Sequence, residues 1–197
     1  SLVDFCIKNK FEKIIYMSTS SIYGNRGYNI PFNEEDPENP ENDYAKIKFH
    51  NEMLIKSLFK NTIILRPFQI YGKYDNPKRL IPTLLNTKTN QKLQLQDCLQ
   101  VTDLLHVKDL CEVIFKIKYS KIKNGIYNLG SGHPIKLREI VKKLHHFKKK
   151  KFYFKFKNTN TNIINNYCYS NNSKIVKAIQ WRPSIIFDKI SNFSNLC

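Results

Sequence analysis

The chain has 197 residues, of which 41% are hydrophobic, and it carries a formal net charge of +17. This length suits one domain, or one domain with a small appendage, and the apolar content is enough for a real core. No run approaches the roughly 18 apolar residues of a membrane-spanning helix, and the first residues lack a signal-peptide core, so we predict no membrane partner.

The cysteines are odd in number and widely scattered, at Cys6, Cys98, Cys111, Cys168 and Cys197. The chain has no Cys-x-x-Cys pair and no histidine cluster with metal-ligand spacing. Neither a disulfide framework nor a zinc site is therefore favoured, and we predict no metal. A reduced, cytoplasmic setting fits such cysteines best.

The positive charge is spread along the whole chain. Lysine supplies most of it, and arginine, which makes bidentate contacts with phosphates and guanine, occurs only five times. We therefore predict no nucleic-acid partner. A basic nucleic-acid-binding module is an alternative based on charge alone, and it requires a continuous basic stripe on the folded surface.

The first third of the chain has the pattern of a parallel crossover unit. We predict the end of a helix over 1–10, a buried strand over 14–17, a loop over 25–42, an amphipathic helix over 43–60 and a second buried strand over 62–65. The order strand, loop, helix, strand indicates that the two strands pair in parallel. The core positions predicted for the helix are Ile47, Met53, Leu54, Leu58 and Phe59.

Beyond residue 73, short helices and strands alternate. Helices are predicted over 78–87 with a break near Pro82, over 107–119 and 137–147, from a capping Ser173 to Gln180, and over about 185–194. Strands are predicted over 91–96, 126–129 and 152–156, and the Asn-rich segment 158–172 is predicted to be a loop. Among the histidines, His106 is predicted to pack in the core, and His145 and His146 to be exposed.

A hydroxyl-rich turn, Ser18-Thr19-Ser20-Ser21 followed by Ile22-Tyr23-Gly24, ends the first strand. Open α/β sheets bind ligands at the carboxyl edge of their strands, so we expect this turn to open into a polar site. Tyr44 and Lys48 lie one turn apart on one helix face if Asn42 or Asp43 caps their helix. A hydroxyl, a phenol and an ammonium that converge there suit proton transfer.

These motifs, in this order, resemble the extended short-chain dehydrogenase/reductase family, the NAD-dependent epimerases and dehydratases of nucleotide sugars. Further matches follow in the expected order: Leu65-Arg66-Pro67-Phe68-Gln69-Ile70-Tyr71-Gly72, the segment 102–110, Tyr127-Asn128-Leu129-Gly130-Ser131-Gly132, and Ser173-Lys174 before Trp181-Arg182-Pro183. The resemblance covers essentially the whole chain and corresponds to the C-terminal two-thirds of the family.

The resemblance implies an α/β fold, the C-terminal part of a Rossmann-like parallel sheet plus a small mixed α/β substrate-binding region. Residues 1–72 would form the second half of the dinucleotide-binding domain with the catalytic residues. Residues 73–197 would form mostly the substrate-binding region, with interleaved Rossmann elements. Because the family often dimerises through a bundle that includes the Tyr44 helix, we predict a homodimer for the complete enzyme.

The resemblance also implies roles for particular residues. Thr19 occupies the catalytic Ser/Thr position, Tyr44 that of the acid/base and Lys48 that of its partner. Chemistry agrees, since a nearby ammonium favours the phenolate form of a tyrosine. The implied cofactor, NAD or NADP, would contact Tyr44, Lys48, Pro67 and Phe68. The implied nucleotide-sugar substrate would contact Thr19, Ser20, Ser21 and Gln69.

The sequence departs from the family pattern in three places. The Gly-rich dinucleotide fingerprint is absent, and Gly130-Ser131-Gly132 follows the wrong strand to replace it, so we expect this chain alone to bind dinucleotides weakly. Thr102 stands where many members carry an Arg that clamps the nucleotide diphosphate. Ser20 and Ser21 stand where dehydratases carry the Asp-Glu pair that eliminates water.

The function predicted from these residues is an NAD(P)-dependent nucleotide-sugar epimerase, which oxidises its substrate to a keto sugar and reduces it again. One alternative is a nucleotide-sugar reductase or dehydratase of the same family. Another is a catalytically inactive, truncated remnant.

Overall fold

The centre of the fold is a parallel sheet in which β1 (Ile14–Met17), β2 (Thr62–Pro67) and β6 (Gly125–Leu129) pair in that order. The computed structural model describes residues 2–11, 13–149, 151–157 and 166–190. β2 is buried along its whole length, as expected for the middle strand of a parallel sheet with both faces covered. The predicted α/β fold with a Rossmann-like parallel sheet is thus confirmed.

Six helices surround the strands of the described residues: α1 (Leu2–Lys8), α2 (Asp43–Leu58), α3 (Leu80–Asn86), α4 (Val107–Tyr119), α5 (Leu137–Phe147) and α6 (Ser173–Ile179). Alternate residues of β2 point to opposite faces of the sheet. Ile63 and Leu65 pack into the core that holds Val113 of α4, whereas Arg66 faces Glu52 of α2. The helix with Tyr44 and Lys48, α2, therefore covers one face of the sheet, and α4 covers the opposite face.

The remaining strands form two smaller sheets beside the central one. β5 (Val101–His106) pairs with β3 (Gln69–Tyr71), β7 (Pro134–Lys136) and β9 (Tyr167–Cys168), and β4 (Lys92–Leu95) pairs in parallel with β8 (Tyr153–Phe156). A second core, which includes Leu84, Ile140 and Phe152, joins them to α3 and α5. No helix of the described ranges is long and apolar enough to cross a bilayer.

The predicted helices over 107–119 and 137–147 are confirmed at both ends. The strands predicted over 91–96, 126–129 and 152–156 are confirmed to within a residue or two. These segments carry strong local periodicity, and no long-range contact is needed to identify them.

The predicted core face of α2 is wrong. Ile47, Met53, Leu54 and Leu58 are exposed, and Phe59 is half-buried at the end of the helix. The buried positions are instead Ala45, Glu52 and Ile55. The helix contacts the sheet through Ala45, which is small, and through Glu52, whose carboxylate pairs with Arg66. Neither residue adds a large apolar side chain to the sequence pattern, so the pattern does not identify this face as buried.

Two further predictions, one about a helix break and one about a loop, are also corrected. α3 is not broken at Pro82, because this proline is the third residue of the helix and lies in the first turn, where backbone N–H groups have no partner within the helix. Within the predicted loop 158–172, Tyr167–Cys168 forms a short strand, β9, which pairs in parallel with β5. Residues 158–165 of that loop lie outside the described residues.

The C-terminal helices differ from the prediction. Asn172 rather than Ser173 is the N-cap of α6, and it makes no capping side-chain bond. The last predicted helix is only a 3-10 turn over Phe187–Lys189, and residues 191–194 lie outside the described part. The carboxylate of Asp109 accepts bonds from the backbone N–H groups of Ser184 and Ile185, which fixes the chain just before this turn.

Asp103 is fully buried and joins β5 to two other segments. Its Oδ1 accepts bonds from the backbone N–H and hydroxyl of Ser131, at 2.7 and 2.5 Å. Its Oδ2 accepts from the Gly132 N–H at 3.1 Å and from the N–H and hydroxyl of Ser170, at 3.2 and 2.6 Å. A Cβ at Gly130 would overlap this carboxylate, so the Gly130-Ser131-Gly132 turn binds a side chain of its own chain.

We expect Asp103→Asn to destabilise the protein by about 2–3 kcal/mol, because the amide NH2 of the new side chain would face donors and leave buried N–H groups unpaired. Urea unfolding followed by circular dichroism measures this change. Asp188→Asn, at a carboxylate whose side chain is 77% exposed, is the control and should change stability by less than about 0.5 kcal/mol. Equal stability of the two variants would contradict the prediction.

Candidate active site

A cavity of about 650 Å³ opens at the carboxyl ends of β1 and β2. Every residue to which the sequence assigned a catalytic, cofactor or substrate role lines it: Thr19, Ser20, Ser21, Tyr44, Lys48, Pro67, Phe68 and Gln69. The parallel pairing of β1 and β2 explains this convergence, because both strands deliver the residues that follow them to the same edge of the sheet.

Thr19 is held at the start of a 3-10 turn, Ser20–Tyr23. Its backbone is extended, and its Oγ1 accepts a bond from the Ser21 N–H at 3.2 Å and donates to the Ser21 hydroxyl at 3.2 Å. Thr19 is only 7% exposed, so its hydroxyl is presented from a fixed position in the cavity wall. Gly24, with a φ of +69°, ends the turn where a side chain would strike the Asn39 carbonyl oxygen.

Tyr44 and Lys48 lie in the first turns of α2, which Asn42 caps by accepting a bond from the Ala45 N–H at 2.9 Å. Lys48 Nζ donates to the carbonyl oxygen of Met17 at 2.8 Å and lies 6.0 Å from the centre of the Tyr44 ring. The ammonium is thus fixed between the end of β1 and the phenol. Tyr44 itself is 56% exposed and lines the cavity.

A buried polar network braces the turn that holds Thr19. The Tyr23 hydroxyl donates to Asn128 Oδ1 at 2.7 Å, and Asn128 Nδ2 donates to the Phe32 carbonyl at 2.9 Å. Burial raises the pKa of Tyr23 to about 12, so the phenol stays a donor at neutral pH. Tyr23 also stacks on Phe32, with ring centres 4.8 Å apart.

Two histidines, His106 and His145, make structural contacts, and one of them differs from prediction. His106 is buried as predicted, its Nδ1 accepts a bond from the Lys108 N–H at 3.2 Å, and burial lowers its pKa, which favours the neutral ring. His146 is exposed as predicted. His145 is half-buried instead, because its Nε2 lies 2.8 Å from the Phe152 carbonyl oxygen and its ring meets the edge of Phe154.

The rest of the cavity wall is mostly apolar, with a few neutral polar side chains, most of which the sequence did not single out. It includes Asn25, Gln100, Thr102 and Asn166, and its only carboxylate among the described residues is Asp75. Asp75 pairs with Arg79 at 3.3 Å. The described residues contain no group of three or more His, Cys, Asp or Glu side chains that could hold a metal ion.

Comparisons with known proteins identify relatives of this chain. Residues 1–130 match the family described as the NAD dependent epimerase/dehydratase family. The dTDP-D-glucose 4,6-dehydratase of Bos taurus is 27% identical over 149 residues, which cover 73% of this chain and 42% of that protein. The ADP-L-glycero-D-manno-heptose-6-epimerase of Brachyspira hyodysenteriae is 27% identical over 157 residues, covering 73% and 49% of the two proteins.

A solved structure, that of dTDP-glucose 4,6-dehydratase from Bacillus anthracis in complex with NAD, matches with a TM-score of 0.80 at 25% identity. The match covers 99% of this chain and 62% of that one. The chain thus spans about half, or less, of the curated relatives named above and under two-thirds of the solved one. Since the family match contains every residue assigned to the site, we conclude that the chain belongs to the NAD dependent epimerase/dehydratase family.

Proposed function

We propose that the protein carrying this chain is an NAD(P)-dependent nucleotide-sugar epimerase. The observation that supports this most is that Thr19, Tyr44 and Lys48 line one cavity at the carboxyl edge of the parallel sheet, with Lys48 anchored on the carbonyl of Met17. On this proposal, residues 1–72 supply the catalytic half of the dinucleotide-binding domain, and 73–197 supply most of the substrate-binding region.

The cavity wall suits a nicotinamide ribose at its β1–β2 end. Pro67 and Phe68 provide apolar surface there, and the Lys48 ammonium provides a hydrogen-bond donor. Ser18 is 3% exposed, lines the same cavity, and its Oγ has no hydrogen-bond partner among the residues described. We infer that Ser18, Lys48, Pro67 and Phe68 hold this part of the cofactor, which when bound supplies the hydride acceptor and donor for the sugar carbon.

Residues of this chain accept and return the proton of the sugar hydroxyl. Tyr44 as phenolate accepts the proton of a sugar hydroxyl, for which O4 is our proposal, while the Thr19 hydroxyl bonds the same oxygen. The bond of the Lys48 ammonium to the Met17 carbonyl keeps it in place beside the Tyr44 ring. When the keto sugar is reduced on its other face, Tyr44 returns the proton, and the carbon is inverted.

The lack of a free carboxylate in the described cavity wall favours an epimerase over a dehydratase. Elimination of water needs an acid and a base beside the sugar, and Ser20 and Ser21 occupy the positions after Thr19. Asp75, the only carboxylate among the described lining residues, is paired with Arg79. Water elimination therefore has no free carboxylate in the described wall.

A product assay tests the proposal. The complete protein is incubated with NAD and, separately, with UDP-glucose, UDP-galactose, UDP-glucuronate and dTDP-glucose, and the products are identified by NMR. We expect the 4-epimer of one of these sugars without net formation of NADH. A 4-keto-6-deoxy product would support a dehydratase, stoichiometric NADH would indicate net oxidation of the sugar, as in a reductase running in reverse, and binding without turnover would support the non-catalytic remnant.

We also propose that the complete enzyme is a homodimer that uses α2. Ile47, Leu54 and Leu58 form a stripe of exposed apolar side chains along this helix, and Ile47 is 62% exposed. A soluble protein rarely leaves such a stripe unpartnered.

We expect Ile47→Glu to convert the dimer to a monomer in light scattering coupled to size exclusion, because a carboxylate would be buried at the interface without a partner. Lys46→Glu, at an exposed position of the same helix outside the stripe, is the control and should leave the dimer intact. An Ile47→Glu protein that stays dimeric would exclude α2 from the interface.

A further inference from the structure

A row of amide side chains leads from the protein surface into the cavity. The Glu41 carboxylate accepts bonds from the Asn25 backbone N–H at 3.1 Å and from Asn25 Nδ2 at 2.5 Å. Asn25 Oδ1 in turn accepts a bond from Asn166 Nδ2 at 2.7 Å. Asn25 and Asn166 both line the cavity, and neither had a role in the sequence-based assignment.

The carboxylate at the start of this row determines which way each amide points. An ionised carboxylate only accepts hydrogen bonds, so Asn25 must turn its NH2 group toward Glu41 and its oxygen toward Asn166. Asn166 must then donate with its own NH2 group. Its Oδ1 is left as the last acceptor of the row, shielded from solvent and without a hydrogen-bond partner among the described residues.

Backbone contacts hold Asn166 in this place. The Val101 N–H donates to the Asn166 carbonyl at 2.9 Å, and the following residue, Tyr167, donates from its N–H to the Arg26 carbonyl at 3.0 Å. The segment therefore lies between β5 and the loop that follows the Thr19 turn. A buried amide oxygen held in this way is costly to leave unpaired, and a donor on a bound molecule would remove that cost.

We propose that Asn166 Oδ1 is a specificity-determining acceptor for a hydroxyl group of the glycosyl unit of a nucleoside diphosphate sugar. This inference rests on the proposed function. Phosphate oxygens carry no proton at neutral pH and cannot pair with Oδ1, so the diphosphate is not its partner. Asn25 follows the turn that holds Thr19 by a single glycine, which puts the row on the side of the cavity where the sugar reacts.

The test is calorimetric titration of the complete protein with UDP-glucose and UDP, and with dTDP-glucose and dTDP, using whichever sugar nucleotide binds the unaltered protein more tightly. We expect Asn166→Ala to weaken binding of that sugar nucleotide about 5–10-fold and binding of its free nucleoside diphosphate less than about twofold. The difference between the two ligands isolates the contact with the glycosyl unit.

A second variant acts from outside the cavity. Gln at position 41 can donate as well as accept, so Glu41→Gln frees both asparagines to reverse, and we expect about 2–3-fold weaker binding of the sugar nucleotide alone. Glu35→Gln, at a side chain 77% exposed, is the matched control and should change nothing. Thermal unfolding of each variant checks that the fold is retained.

The outcomes separate the inference from the proposed function. Equal weakening of the sugar nucleotide and the free diphosphate, or no effect of either Asn166→Ala or Glu41→Gln, would overturn the role of Asn166 and leave the proposed function standing. If the unaltered complete protein binds none of these ligands, the proposed function and the inference that rests on it both fall.

Discussion

Tyr44→Phe is expected to lower the turnover of a nucleotide sugar at least about 100-fold in the complete enzyme. The substitution keeps the ring and removes only the hydroxyl that would accept and return the proton. Tyr44 is 56% exposed and lies over no buried core, so the fold should be unaffected. The binding of substrate should stay within about threefold, because most of the cavity wall is unchanged.

The measurement is a steady-state assay of the epimer, with kcat and KM determined separately. Tyr153→Phe, in β8, is the matched control, since that tyrosine is similarly exposed at 59% and lies outside the cavity. It should keep full activity. If the Tyr44→Phe enzyme retained more than a few per cent of its turnover, Tyr44 would not be the proton acceptor and the catalytic assignment would fail.

The parts of the site that sequence could predict are those encoded within a few residues. Thr19 lies two residues after the end of its strand, and Tyr44 and Lys48 are one helical turn apart, so local geometry brings each group to the sheet edge. Helices such as α4 and α5 have clear apolar periodicity and were predicted to the residue.

The parts that sequence could not predict depend on distant polar contacts. Asn25 and Asn166 are 141 residues apart, and nothing in an Asn-rich segment distinguishes one amide from its neighbours. The wrong core face of α2 has a similar cause. An apolar stripe usually faces the core, but here the buried side carries Glu52, whose partner Arg66 is 14 residues away on a strand. Only the folded chain shows that this carboxylate is paired.

The Arg66–Glu52 pair connects the sheet to the helix that holds the catalytic candidates. Arg66 is fully buried, and it donates from Nε and Nη2 to the two carboxylate oxygens of Glu52, at 3.0 and 2.7 Å. Its Nη2 also donates to Glu38 at 2.9 Å. Glu52 is one helical turn beyond Lys48, so the pair fixes the position of Lys48 relative to β2.

We expect Arg66→Met to destabilise the protein by about 3–5 kcal/mol, because it leaves the Glu52 carboxylate, which is 1% exposed, without its cation. For a chain of this size that corresponds to a fall of roughly 10 °C in the midpoint of thermal unfolding. Lys116→Met, which removes an exposed pair with Glu112 at 3.8 Å, is the control and should cost less than about 0.5 kcal/mol.

The double variant Arg66→Met/Glu52→Leu separates the pairing from the packing. Removing both charges leaves no fully buried carboxylate without its cation, since Glu38 is 30% exposed. We therefore expect the double variant to recover most of the loss and to unfold within about 2 kcal/mol of the unaltered protein. If the double variant were instead less stable than Arg66→Met alone, the bonds of Glu52 would stabilise the fold without Arg66. In that case the contact between α2 and β2 would not depend on charge compensation, and Lys48 would need another explanation for its fixed position.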